Sequence, residues 1–291
     1  MIMNGEIFPI GIGTYGIGVE PDNNHLDTLK YSFQTGQNFI DASYIYANGK
    51  TMEYLKDFFK SIPRDEIFIN VMLEKYIEKE TDVETQLDLY LKIMGIEYAD
   101  TLMLHAPICS KLPLEETYFL MNRMVEKGKA CSLSASNFSL EELIAICERH
   151  KFKLFCFEGL YNIECKVNED VGIIDYCKRN EIEFVCYQPL RRNRTSNRNY
   201  DFLVDIANKY EKTQNQILIN WIVKEKKLIT SIRASRVEHV KENLESLDFA
   251  LNREDIESLN NYRNKDFDSL KVDWALKGEG ITIDQIPNQF S

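Results

Sequence analysis

Short apolar runs alternate with longer amphipathic stretches along the whole of this chain. The runs are Ile10–Thr14, Phe39–Asp41, Ile67–Met72, Thr101–Leu104, Cys131–Ala135, Phe155–Glu158, Glu183–Tyr187 and Leu228–Ser231. Between them lie His25–Thr35, Met52–Lys60, Val83–Met94, Leu114–Lys127, Leu140–His150, Val171–Asn180, and Leu203–Tyr210 with Gln216–Lys224. Strand-length runs alternating with helix-length stretches predict βαβ units and a parallel sheet. Several helices carry start signals. Ser139 precedes Glu142 by three residues, and Thr213 precedes Gln216 by three, the spacing of a capping box. Asn252 opens a further helix. Eight strand–helix units without a linker or low-complexity stretch predict one α/β domain over residues 1–291, a (β/α)8 TIM barrel. Residues 1–8 read as a hairpin around Asn4-Gly5, placed to plug the bottom of the barrel. The tail from about Asp266 to Ser291 reads as a loop over the active-site end, where Trp274 would help to shape a pocket.

Composition narrows the function. The chain has 291 residues, 44% hydrophobic and 28% charged, which suits a soluble barrel with a large core. The net charge of −11 argues against nucleic-acid and anionic-membrane partners, because phosphate repels a net anion. The first five residues carry neither a basic nor an apolar signal region, and no apolar run approaches the ~20 residues of a membrane span. A cytoplasmic protein is expected. The seven cysteines are scattered, with no Cys-x-x-Cys pair, so neither a disulfide framework nor a metal site is expected.

Barrels of this kind carry their chemistry at the carboxyl ends of the strands. Those ends are polar here. Asp41 closes the second strand, with Tyr46 five residues on. His105 closes the fourth, Ser136-Asn137 follow the fifth, Glu158 ends the sixth, Tyr187 ends the seventh, and Arg233 follows the eighth. Each taken alone could be a helix cap or a satisfied core group. Polar groups converging from six strands are costly to bury unpaired, and together they mark a site.

Six segments, in order along the chain, resemble the aldo-keto reductase family. They are Gly11–Tyr15, Gly36–Tyr46, Asp100–Pro107, Gly128–Phe138, Tyr187–Leu190 and Ala234–Asn243. The resemblance implies an NADPH-dependent oxidoreductase that reduces a small aldehyde, ketone or sugar carbonyl. Tyr46 would donate the proton, with Asp41 and His105 beside it. Ser136, Asn137 and Glu158 would hold the nicotinamide carboxamide, and Tyr187 would stack on its ring. Thr14 and Leu190 would line the cofactor. Arg233, Arg236, Glu242 and Asn243 would lie at its adenosine end, where a basic residue pairs with a 2′-phosphate. NADP(H) is therefore expected, with NAD(H) left open. Tyr15, Met72 and Trp274 would border the substrate.

Three departures qualify that expectation. The family's active-site lysine falls at Met72, so the catalytic tetrad is incomplete. A tyrosine with a pKa near ~10 donates poorly without a cation to stabilise its phenolate. Lys75 is a possible substitute, but strand alternation places residues 72 and 75 on opposite faces unless the strand ends first. Glu158 stands where glutamine is usual. Arg191, Arg192, Arg194 and Arg198 make the loop after the seventh strand basic, as either a solvated loop or a clamp for phosphate on the cofactor or a phosphorylated substrate. The expected reductase is slow or specialised. The alternatives are an impaired nicotinamide-binding sensor or partner subunit, and elimination or isomerisation on a sugar with His105 as base.

Overall fold

The computed structural model describes residues 6–18, 25–74 and 76–264. Eight strands close a barrel in sequence order: β1 Ile10–Ile12, β2 Phe39–Ser43, β3 Phe68–Leu73, β4 Ala99–Leu104, β5 Ala130–Ser136, β6 Leu154–Leu160, β7 Glu183–Tyr187 and β8 Ile229–Ile232. Every neighbouring pair is parallel, and β1 returns to β8 in the register Ile10↔Thr230, Gly11↔Ser231, Ile12↔Ile232. The helices are α1 His25–Gln34, α2 Lys50–Phe59, α3 Glu80–Met94, α4 Leu114–Glu126, α5 Leu140–Ile144, α6 Val167–Asp170, α7 Ile173–Arg179, α8 Asp201–Tyr210, α9 Gln214–Asn220, α10 Val237–Glu245 and α11 Arg253–Asn261. Among the described residues no helix is long and apolar enough to cross a membrane.

Both expected capping boxes form. Ser139 accepts from the Glu142 amide and Thr213 from the Gln216 amide. Asn252 caps α11 by accepting from the Asp255 amide at 2.8 Å. The stretch expected as one helix over Leu140–His150 is α-helical only to Ile144 and widens into a π-turn over Ala145–Arg149. The expected helix Val171–Asn180 forms as α7 over Ile173–Arg179, with Gly172 at its N-cap in a left-handed φ of 86°. Of the expected hairpin, Glu6-Ile7-Phe8 carry no strand and Met1–Gly5 lie outside the described residues, as do Trp274 and the rest of the tail.

Two apolar layers position the site. The larger fills the space between strands and helices, with Trp221, Tyr90, Tyr118 and Tyr161 fully buried. The smaller lies within the barrel interior and comprises Phe39, Phe68, Met72, Met103, Cys156, Val185 and Ile229. Phe68 stacks on Phe39 at 5.7 Å and on Phe155 at 4.5 Å between ring centroids. Strand alternation then turns polar toward the carboxyl ends. Phe39 is followed on its face by Asp41 and Ser43, and Phe68 by Asn70, Met72 and Glu74. The apolar floor closes the barrel, and the polar residues above it are left at the mouth.

Candidate active site

Asp41 sits at the junction of β1, β2 and β8. Its Oδ1 accepts from the Thr14 amide at 2.9 Å and its Oδ2 from the Ser231 hydroxyl at 3.0 Å, while Thr14 Oγ1 donates to the Asp41 carbonyl at 2.9 Å. Gly13 permits this junction, because a Cβ there would lie 2.8 Å from the Arg233 amide nitrogen. Burial raises the Asp41 pKa against these hydrogen bonds.

Tyr46 follows β2 in a short 3-10 turn and is half-buried. Its ring meets Tyr15 edge to face, 5.3 Å between centroids and 82° between planes. The Tyr46 phenol is raised well above its ordinary pKa, first by burial and then by the negative charges of Asp41, Glu158 and Glu74. Tyr15 is in turn covered by a loop: the Arg192 guanidinium lies 4.4 Å from its ring centroid, and Arg233 Nη1 donates to its carbonyl at 3.1 Å. Arg191, Arg192 and Asn193 all take left-handed φ values, so the backbone turns tightly where it carries these cations over the mouth. Arg191 is anchored from below by an ion pair with buried Glu164, whose other oxygen accepts from Tyr200 at 2.6 Å.

On the opposite wall a chain of hydrogen bonds runs across β4, β5 and β7. Asn137 Nδ2 donates to the His105 carbonyl and to Ser136 Oγ, each at 2.9 Å, and its Oδ1 accepts from Tyr187 at 2.7 Å. Asn137 has φ 60°, a left-handed conformation that asparagine tolerates better than most side chains. Burial lowers the His105 pKa to about 4, so its imidazole is neutral at physiological pH.

Glu158 is in register with Ser136 and is buried. Its Oε2 accepts from Asn70 Nδ2 at 3.2 Å, and Asn70 Oδ1 accepts from Ser134, itself bonded to Thr101. Burial, and then the nearby charge of Asp41, raises the Glu158 pKa well above the usual carboxylate range. Asn70 is in register with Asp41, so β3 bridges the two acids.

The model of the aldo/keto reductase family matches residues 9–264. The chain belongs to the aldo/keto reductase family. This aldo/keto reductase is 26% identical over 255 residues to the NADPH-dependent alpha-keto amide reductase of Saccharomyces cerevisiae, covering 81% of this chain and 78% of the relative. It is 25% identical over 278 residues to aldose reductase B of Dictyostelium discoideum, covering 86% and 87%. A thermostable aldo-keto reductase solved with the inhibitor epalrestat superposes with a TM-score of 0.78 at 28% identity, over 88% of this chain and 96% of that one. The fold is also that of a Klebsiella pneumoniae aldo-keto reductase solved with NADPH, with a TM-score of 0.77, 21% identity, and 87% and 90% covered.

Most of the residues expected from the sequence gather at the carboxyl ends of the strands of this aldo/keto reductase. Thr14, Asp41, Tyr46, Tyr15 and Arg233 form one group; His105, Ser136, Asn137 and Tyr187 form the other. Glu158 connects to the first group through Asn70 and the charge of Asp41. Leu190 is buried directly before the arginine loop. Met72 does face inward, within the apolar interior cluster and in register with Ser43 and Met103. Strand β3 ends at Leu73, which removes the alternation argument against Lys75, a residue outside those described. Around α10 the links differ. Arg236 Nη2 approaches His239 Nε2 at 3.3 Å, whereas Glu242 accepts from Thr213 at 2.7 Å and Asn243 is buried. Sequence reasoning missed Asn70, Glu74 and Ser231. The first two share the parity of Met72 on β3, a signal that alternation alone supplied.

Proposed function

We propose that this chain reduces a small aldehyde, ketone or sugar carbonyl with NADPH. The observation that carries this reading is the placement of Asp41, Tyr46, His105 and Asn137 at the carboxyl ends of the strands of one closed barrel. The side chains suit a nicotinamide. Ser136, Asn137 and Glu158 offer donors and acceptors to a carboxamide from adjacent strands, and Tyr187 presents a half-buried ring beside them. Arg233 and Arg236, with His239, offer positive charge to a 2′-phosphate at the start of α10, which supports NADP(H) over NAD(H). The bound dinucleotide supplies hydride. Tyr46 protonates the substrate oxygen, Tyr15 fixes the plane of Tyr46, and neutral His105 directs the carbonyl toward it. Arg192 and Arg194 offer positive charge to a sugar or phosphorylated substrate.

A second reading is a nicotinamide-binding sensor or partner subunit with little turnover. It is favoured by Met72, which brings no cation to Tyr46, and by the elevated pKa of that phenol. Fluorescence titration with NADPH and NADH, followed by a carbonyl panel, separates the two. Binding with turnover supports the reductase. Binding without turnover on any aldehyde, ketone or sugar supports the sensor, and absence of binding defeats both.

A further inference from the structure

Two buried acids face the barrel interior where a neutral or a positive ring would sit. Asp41 and Glu158 are each at least 96% hidden from solvent, on β2 and β6. Asn70 lies between them, in register with the first and bonded to the second. The titratable groups acting on Glu158, or acted on by it, are Asp41 from β2, Tyr46 after β2, Cys156 on β6, and Cys186 and Tyr187 on β7. Among the described residues none of these is a cation. One inward step nearer the mouth than Asn70 on β3, in register with Ser43, the position of the family's lysine is Met72.

We propose that Glu158, held by Asn70 beside Asp41, makes this site sense the redox state of the cofactor, by releasing a proton when the oxidised ring binds and keeping it when the reduced ring binds. This rests on the reading of the mouth as a nicotinamide site. The physical argument is brief. With no cation among the described groups acting on them, two buried carboxyls that repel one another retain protons that isolated ones lose, because burial and mutual repulsion both oppose charge. A protonated Glu158 is a hydrogen-bond donor, the near-equivalent of a glutamine amide, and serves NADPH well. Oxidised nicotinamide brings a positive charge to these acids. The favoured state then has Glu158 ionised against the ring and its proton released to solvent. Asn70 assists, since its amide bond to Oε2 favours the ionised form.

The proton balance makes the proposal measurable. If binding NADP+ releases one more proton than binding NADPH, the ratio of their affinities changes up to about tenfold per pH unit. Taking the ratio cancels protonation of phosphates common to both forms. Dissociation constants measured by fluorescence from pH 7 to 8.5 are expected to show NADP+ tightening relative to NADPH by more than about threefold per unit. Calorimetry in two buffers of different ionisation enthalpy counts the protons directly on the unaltered protein. In Glu158→Gln the ratio is expected to become flat. Parallel pH dependences in the wild type overturn the proposal while leaving the cofactor site intact. A slope that survives in Glu158→Gln also overturns it, by assigning the proton elsewhere. If neither dinucleotide binds, the reading of the site fails and this inference fails with it.

Discussion

Ser231 donates its hydroxyl to Asp41 at 3.0 Å, tying β8 to β2 just above the barrel floor. With the Thr14 amide on the other oxygen, the carboxylate is satisfied entirely by neutral donors. These donors favour the charged form, but burial outweighs them, and Tyr46 sits beside an acid with no described counter-ion. Met72→Lys would insert an ammonium from the next strand. We expect it to lower the Tyr46 pKa and to raise kcat by at least about tenfold, one pKa unit corresponding to roughly 1.4 kcal/mol. The check is a pH–rate profile with NADPH and the best carbonyl substrate. A variant that binds cofactor with an unchanged rate would show that Met72 does not limit the site.

Tyr46→Phe separates chemistry from binding. The ring and its edge contact with Tyr15 are kept, and only the proton donor is lost. Reductase kcat is expected to fall by about 100-fold or more, the usual scale of a general acid, with the NADPH dissociation constant unchanged. Unaltered kcat would move the proton source to another residue.

How much of this could be seen in the sequence depends on what each feature rests upon. Strand order and helix starts follow from local periodicity and capping chemistry, and β7 and the Ser139 and Thr213 boxes lie where those rules put them. The strand-end polar residues were legible for the same reason. Asn70 was not, because its importance comes from a partner 88 positions away across a closed barrel. The change from α-helix to π-turn after Ile144 was also hidden, since amphipathic periodicity runs through a π-turn almost unchanged. The ionisation of Glu158 was beyond composition altogether. It depends on burial beside Asp41, and a sequence shows only that the residue is an acid.

His105 provides a pH test with a definite sign. Its folded pKa is lowered to about 4 from an ordinary 6.5 by burial. As pH falls through 6.5 the unfolded chain takes up a proton that the folded protein refuses until about pH 4. Stability from this group is therefore present above pH 6.5 and lost progressively down to pH 4, by about 3 kcal/mol at most. The raised pKa values of Asp41 and Glu158 act in the opposite sense, so the comparison is between proteins. His105→Gln is expected to lose less stability than wild type over that window in urea denaturation. Parallel losses would mean that the imidazole is charged in the folded state.

Lys166 ties the end of α11 to the segment after β6. Its ammonium donates to the carbonyls of Leu259, Asn260 and Tyr262 at 2.7, 2.9 and 3.1 Å, and lies 5.0 Å from the Trp221 ring. These are carbonyls that a helix end leaves without partners, and a cation there also suits the helix dipole. Lys166→Met keeps the aliphatic stem and leaves the oxygens bare, at a cost of about 3 kcal/mol. Burial, with Arg263 and Lys226 nearby, lowers the Lys166 pKa to about 7. Between pH 7 and 10 the unfolded chain thus holds a proton that the folded protein has released, so this lysine adds stability as pH rises. The deficit of Lys166→Met relative to wild type should therefore widen from pH 7 to pH 9 in chemical denaturation. A deficit that stays constant over that range would show that the three carbonyls hold the ammonium charged, with its pKa kept high.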